Sequence, residues 1–423
     1  MTSTTSGLIN DGVMRAADGT PLKQRLKRAL RREKLRSFLL TLPLLLFIVL
    51  SFILPIADML FRSVENQVVQ DTIPLTVEAL KNWDPASGEA PDESVFAAFH
   101  EDFVQAFKDK KHTRLGLRLN YDEAGMSGLF RKTGRPSTIM EPPYKEAFIA
   151  VDKEWGAVKT WAVIKQASPA YTDSYFLNAV DAHRTPEGIE MVPEKERIYL
   201  FLFGRTMFLS IVITVSCLLL GYPIAFLLAS LPLRSSNMLM ILVLLPFWTS
   251  LLVRTSAWKV LLQQQGVVND FLVWIGAVDN ASRLIMINNQ FGTIVAMTHI
   301  LLPFMILPLF SVMKTISPNY VRAARSLGAN DWTAFWRVYF PQSIPGIGAG
   351  AILVFILSIG YYITPELVGG TSGIFISNRI AYHISTSLNW GLAAALGAIL
   401  LGLVLLLFYV YDKIVGIDNV KLG

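Results

Sequence analysis

Thiols are all but absent. The one cysteine in 423 residues, Cys217, lies in a long apolar stretch, so no disulfide or thiolate metal site can form within the chain. It reads as a small apolar packing residue. Charge is scarce as well: 17% of residues are Asp, Glu, Lys or Arg, against about 25% in soluble domains. No Gly-Lys pair occurs, so the phosphate-binding loop G-x-x-x-x-G-K-[ST] is missing and this polypeptide does not hydrolyse ATP through such a loop. H-E-x-x-H, G-x-S-x-G and metal-spaced Cys/His clusters are missing too, so no catalytic residue and no metal ligand is assigned. Histidines are few and scattered, at 100, 112, 183, 299 and 383. His299 falls inside an apolar stretch, where it either serves function or is a neutral side chain bonded to a neighbouring helix. Carboxylates are rare there, since Asp58 and Glu366 stand at the ends of apolar stretches. That scarcity weighs against an ion-coupled secondary transporter, which needs midplane carboxylates or His relays.

Apolar length is what the chain has in abundance. Hydrophobic residues make up 52% and the mean hydropathy is +0.45. Uncharged windows run 37–57, 206–233, 235–253, 284–313, 338–365 and 380–411. A helix needs about 20 apolar residues to cross the hydrocarbon core, because its backbone groups must all be satisfied internally. Six transmembrane helices are expected, the first over 37–61. Nine basic residues (Arg15, Lys23, Arg25, Lys27, Arg28, Arg31, Arg32, Lys34 and Arg36) make 1–36 a cytoplasmic anchor rather than a nucleic-acid arm. Threading six helices places Arg234, the loop with Arg322, Arg325 and Arg337, and Lys413 on the same side, with a cytoplasmic tail at 416–423. A cleavable signal peptide is not expected, because the first window is long and no small-x-small site follows it.

Residues 62–197 are a different material. Over 63–197 there are 16 Lys/Arg against 22 Asp/Glu, a balance of −6, so the remainder of the chain holds +12 of the overall +6. By helix parity this segment is extracytoplasmic, and it is long enough to bury a modest core. Ser94 is placed to cap a helix carrying Phe96, Phe99, Phe103 and Phe107. Phe148, Val151, Trp155, Val158 and Trp161 repeat at helical spacing after Pro142–Pro143, and a loop is expected around 125–136. The segment is predicted to be a small, mainly helical insert.

The apolar windows carry packing signals. Gly221, Ala225 and Ala229 recur at every fourth residue, as do Thr206, Ser210 and Thr214, and Ala394, Ala398 and Gly402. Small residues on one face let helix backbones approach closely in lipid. Pro43, Pro55, Pro223, Pro246, Pro303 and Pro308 bend helices around a path. Between two windows lies VRAARSLGANDWTAFWRVYFPQSIPGI (321–347). Pro318 begins a short helix that Gly328 ends, and Asp331 caps a second with Trp332, Phe335, Val338 and Tyr339 on its apolar face. Pro341 stops it, and Pro345–Gly346 turns the chain into the fifth helix. Such a compact knob suits a groove on another protein.

This stretch resembles the EAA loop of ABC importer permeases, close to E-A-A-x-x-x-G-A, an aromatic, then L-P-x-x-x-P-G-I. It matches at Ala323, Ala324, Gly328, Ala329, Phe335, Val338, Pro341, Pro345, Gly346 and Ile347, and departs at Arg322, which stands in place of the glutamate. LLLGYPIAFLLA (218–229), LLPFWTSLLVRTSAWKVLLQQQGVVN (244–269) and GYYITPELVGG (360–370) resemble permeases of spermidine/putrescine-type importers. The resemblance covers 198–415 and only loosely the first helix. It implies an all-α membrane protein, a type I importer permease of six transmembrane helices with the extracytoplasmic insert between helices 1 and 2. The permease core is 198–415 and its EAA loop 318–347. It further implies a bacterial inner-membrane location with both termini cytoplasmic. The partners implied are an ATP-hydrolysing subunit dimer holding ATP and Mg, a second homologous permease, a soluble periplasmic substrate-binding protein and membrane lipid. No nucleic acid is implied, and no cofactor is expected in this chain.

Arg322, Ala323, Ala324, Gly328, Ala329, Phe335 and Pro341 are then the ATPase-coupling residues. For the path, a rise of about 1.5 Å per residue places Trp248 and Thr249 near mid-bilayer, with Tyr361, Tyr362 and Glu366 toward the outer end of the fifth helix. Aromatic faces with one carboxylate suit an organic cation; an interfacial aromatic belt and simple packing are the other reading. Arg254 snorkels to the interface or pairs with the insert or a partner. The expected solute is a polyamine, with an amino-acid derivative, iron or phosphonate as alternatives.

Overall fold

The computed structural model describes residues 22–185 and 188–415. The expected cytoplasmic tail at 416–423, and residues 1–21 of the basic segment, lie outside the described residues. Residues up to Phe61 and those from Arg62 onward form two units. In the first, helix α1 (Leu22–Ile48) continues through a π-turn (Val49–Ile53) into Leu54–Phe61. Its stretch Glu33–Phe61 is long and apolar enough to cross a membrane, and so are Tyr199–Ser230, Gln290–Thr315, Asp331–Gly360 and Trp390–Lys413. One more pair, Leu233–Trp248 and Leu251–Leu261, passes together but is bent by 94°.

The 62–198 lobe is mainly helical. It comprises α2 (Pro74–Ala79), α3 (Glu93–Lys108), α4 (His112–Leu119), α5 (Met126–Thr133), α6 (Tyr144–Val151), α7 (Val158–Gln166) and α8 (Ser174–Ala179). A hairpin follows, β1 (Ala182–Thr185) antiparallel to β2 (Gly188–Met191), in register from Ala182 opposite Met191 to Thr185 opposite Gly188. The aromatic periodicity seen in the sequence forms the core: Phe96, Phe99, Phe103, Phe130, Phe148, Trp155 and Trp161 are fully buried together. Beneath it Asp102 accepts from the Thr76 N–H and hydroxyl, both at 2.7 Å, tying α3 to the start of α2. Burial still pushes its carboxyl above the ordinary carboxylate range.

Local punctuation differs from expectation in three places. Asp92, not Ser94, caps α3, accepting from Val95 N–H, and the Ser94 hydroxyl bonds the same carboxylate at 2.6 Å. The expected loop at 125–136 contains α5, because the Asn120 side chain accepts from the N–H groups of Gly125 and Ser127 and starts a helix there. The Phe148–Trp161 repeat is two helices rather than one, since Asp152 leaves the helical region and caps a 3₁₀ turn at Lys153–Gly156.

From Tyr199 the chain builds the membrane-spanning part: α9 (Tyr199–Ser230), α10 (Leu233–Leu244), α11 (Leu251–Leu261), α12 (Val267–Trp274) and α13 (Gln290–Thr315). It continues with α14 (Pro318–Ser326), α15 (Asp331–Ala334), α16 (Phe340–Gly360), α17 (Ile363–Val368), α18 (Ile376–Ser385) and α19 (Trp390–Val415). α9, α13 and α16 share one core that includes Ile213, Cys217, Ile300, Met305, Leu309 and Val354. Close approach explains the small-residue stripe. A Cβ at Gly221 would lie 3.1 Å from Met305 Cγ, and one at Gly350 would lie 2.7 Å from Met305 Sδ.

The lobe is fastened to the spans by specific contacts. Asp181, 5% exposed, accepts through its carboxylate from the N–H groups of Ile198 (3.0 Å), Tyr199 (3.1 Å) and Leu200 (2.7 Å), capping α9. Tyr175 packs so closely that a Cβ on Gly391 would lie 2.4 Å from its ring. The Tyr121 hydroxyl donates to Ser387 O at 3.1 Å. Tyr199 Oη meets His383 Nε2 at 3.0 Å, and His383 Nδ1 meets Ser387 Oγ at 2.8 Å. Burial, and then Arg379, push the His383 imidazole down to about 4, so it is neutral at pH 7. Charge-assisted bonds contribute about 1.5–3 kcal/mol each, so Asp181→Ala should lower stability by at least about 2 kcal/mol. A melting point in detergent equal to that of the unsubstituted chain would refute the cap.

Candidate functional site

The knob after α13 is assembled from short-range caps. Ser317 Oγ accepts from Asn319 N–H to start α14. At its end the N–H of Leu327 reaches the Ala323 and Ala324 carbonyls, and Ala329 N–H returns to Ala324 O at 3.0 Å. This reversal sets Gly328 at φ +90°, where a side chain is strained although space is open. Asn330, not Asp331, caps α15, accepting from Thr333 N–H at 2.8 Å. Asp331 is drawn off by Arg325, whose Nε lies 2.9 Å from its carboxylate and pins the two short helices together. Arg322 and Ala323 are exposed, and Ala324 and Ala329 are half-buried. Leu327 is 89% and Trp332 71% exposed. The result is an apolar tip on a polar collar.

Pro341 does not stop the second helix as the sequence suggests. A π-turn at Phe335–Tyr339, in which Phe340 N–H bonds Phe335 O, shifts the ladder register just before the proline, and the helix runs on through α16. Asp331–Gly360 is therefore one long rod. Phe335 sits at its base among Tyr222 and Phe226 of α9 (centroids 6.2 and 5.9 Å) and Tyr339 and Phe340. Tyr222 Oη also meets Ser343 Oγ at 2.9 Å. Phe335 thus joins the base of the knob to both α9 and α16. Tyr222 and Phe226 were missed by motif reasoning. Their signal was an aromatic pair four apart on a helix otherwise apolar all round.

The residues picked for the path lie on separate elements. Pro246 and the extended Thr249–Ser250 break the third apolar stretch, so it is not one straight helix. They sit at the 94° bend, with Trp248 85% exposed and the Thr249 hydroxyl donating to Pro246 O. Tyr361 and Tyr362 follow the end of α16, where Tyr361 packs against the shared core and Tyr362 is exposed. Glu366, on α17, accepts from Asn378 Nδ2 at 2.6 Å, and the same amide donates to Tyr362 O at 2.9 Å. Asn378, which sequence reasoning missed, thereby orients the carboxylate. Thr255 and Thr364 hydroxyls, 3.1 Å apart, join α11 to α17. Arg254 is half-buried, with Nε left without a hydrogen-bond partner. His299 packs edge-on against Trp258 (5.5 Å), and its Nδ1 also has no partner.

The chain resembles known proteins over residues 200–415. The family described as "Binding-protein-dependent transport system inner membrane component" matches residues 200–415. The spermidine/putrescine transport system permease protein PotB of Haemophilus influenzae is 35% identical over 216 residues, covering 51% of this chain and 75% of that protein. Its counterpart in Escherichia coli K12 is 34% identical over 215 residues, covering 50% of this chain and 78% of that protein. A crystal structure of a bacterial alginate ABC transporter, bound to a periplasmic protein carrying alginate pentasaccharide, aligns over 53% of this chain and 80% of its own. Its identity to this chain is 20% and its TM-score 0.42. The 62–198 lobe falls outside the family match. With the family's core spanning 200–415 and the capped knob and its helices inside it, the chain belongs to the inner membrane components of binding-protein-dependent transport systems: it is a permease subunit of an ABC importer.

Proposed function

We propose that this permease moves a polyamine of the spermidine/putrescine class, forming half of a path whose other half is a second, homologous permease. ATP hydrolysis belongs to a separate subunit. A dimer of that subunit, binding ATP and magnesium ion, would receive the Pro318–Tyr339 knob in a surface groove. Arg322, Ala323, Ala324, Gly328 and Ala329 would shape the fit, and Phe335 and Pro341 would pass movement into the spans. The bent pair counts as one span, giving six, with both termini cytoplasmic and the lobe at the extracytoplasmic surface. The observation that carries the substrate class is the likeness over the core to the two polyamine permeases.

Trp248 and Thr249 at the bend, with Tyr361, Tyr362 and the Asn378-held Glu366, offer an ammonium group aromatic faces and one carboxylate. In proteoliposomes holding the assembled transporter, spermidine uptake should require ATP and binding protein. Glu366→Gln should raise the apparent KM about tenfold, equivalent to about 1.4 kcal/mol. An unchanged KM would remove Glu366 from the path. ATP-driven uptake of an amino-acid derivative, iron or a phosphonate in place of polyamines would overturn the substrate class.

A further inference from the structure

A cleft of about 450 Å³ opens in the lobe between α7, α8 and β1, a size suited to a bound group. Its charges are already satisfied in pairs. Arg118 holds Asp122 at 2.6 Å, Lys159 holds Glu123 at 2.8 Å, and Arg184 holds Asp173. A simple ion therefore gains little there. Neutral groups also line the cleft: among the described residues, the half-buried side chains of Gln166, Asn178 and His183 make no hydrogen bond within the protein. Each carboxamide presents one acceptor and a pair of donor hydrogens, the complement of a peptide group. Val158, Val163 and Leu177 supply an apolar wall. β1, whose His183 and Arg184 line the cleft, pairs only with β2 among the described residues and so keeps one edge without a strand partner.

The position of the cleft matters as much as its lining. Ser174, Leu177 and Asn178, at i, i+3 and i+4, face it. Tyr175 and Ala179, on the other side of the same short helix, pack with Leu392 and Leu396 of α19 and Leu202 of α9. Two residues on, Asp181 caps α9. One short stretch thus walls the cleft on one side and is fastened to two spans on the other.

We propose that this cleft receives an extended segment of the soluble binding protein, by side-chain amide and strand-edge hydrogen bonds, and that 173–184 carries the contact into the outer ends of α9 and α19. The proposal rests on the extracytoplasmic placement of the lobe given above. The test uses the assembled transporter in lipid nanodiscs with its purified binding protein. A photoreactive residue at 178 should cross-link to the binding protein, and Asn178→Trp should raise the binding-protein concentration that half-stimulates ATPase activity at least tenfold. Asp181→Asn, which weakens the cap this stretch places on α9, should preserve the cross-link and reduce maximal stimulation about threefold. A cross-link to the second permease, no cross-link, or half-stimulation within twofold of the unsubstituted complex would overturn the receptor. Full stimulation with Asp181→Asn would overturn the transmission. The underlying reading fails separately, if an Asn178→Cys variant is labelled by an impermeant thiol reagent only from the cytoplasmic side, or if the unsubstituted complex shows no ATPase activity.

Discussion

Leu327→Asp should leave the chain in the membrane at its ordinary level while cutting the co-purifying ATP-hydrolysing subunit roughly thirty-fold, equivalent to about 2 kcal/mol of a buried interface anchor. The size of the effect follows from how little the side chain does inside this subunit. It is 89% exposed at the tip of the knob, and the bonds that close α14 there use only its backbone N–H. An aspartate leaves the fold intact and places a charge where an apolar contact should be sealed from water. Trp332, 71% exposed one helix further on, widens the same apolar face. Co-purification with the ATPase subunit, normalised to permease recovered, is the measurement. Equal recovery from both chains would show that docking uses another surface. The same logic addresses Arg322. It is exposed on the collar, whereas Arg325 provides the ion pair that holds the two short helices together. A glutamate at 322 is therefore unnecessary for the knob's shape.

What the sequence made legible was what composition and local rules control. Apolar length located the spans, and the spacing of Phe96, Phe99, Phe103, Trp155 and Trp161 picked out side chains that are buried together. Gly328 ended a helix because few other residues accept φ +90°. What stayed hidden depends on competition between neighbours. Asn330 and Asp331 are both capable caps, and Arg325 decided between them by engaging the aspartate. Pro341 looked like a stop, yet a single wide turn re-registered the ladder before it. Pro246 looked like one bend among many and stands at a 94° break, which leaves Trp248 exposed at a corner. Contacts between segments that meet only in the folded chain left little or no local signature. Asp181 capping α9, Asn378 holding Glu366, and Tyr222 with Phe226 under the knob arise only once the chain has closed on itself.

The second large effect is expected from Phe99→Ala in the lobe. Its ring meets five others, those of Phe103, Phe130, Phe148, Trp155 and Trp161, at centroid distances of 5.1, 6.1, 5.2, 4.8 and 5.3 Å. Truncating a fully buried phenylalanine costs about 3–5 kcal/mol through lost transfer energy and the cavity left behind. A domain of this size holds only about 5–15 kcal/mol in total. The lobe should therefore open far more often, while the core of α9, α13 and α16, which shares no residue with this cluster, keeps its packing. Two readouts separate the parts. Limited proteolysis of membrane vesicles should cut within 62–198 at least tenfold faster than in the unsubstituted chain, with the fragment from Tyr199 onward remaining intact. Emission from Trp155 and Trp161, now 0% exposed, should shift to the red at lower temperature. Because Asp181 and Tyr175 tie the lobe to α9 and α19, loosening it should also weaken the response to binding protein. A lobe that stays protease-resistant with alanine at 99 would mean that its stability comes from these attachments rather than from its own aromatic core.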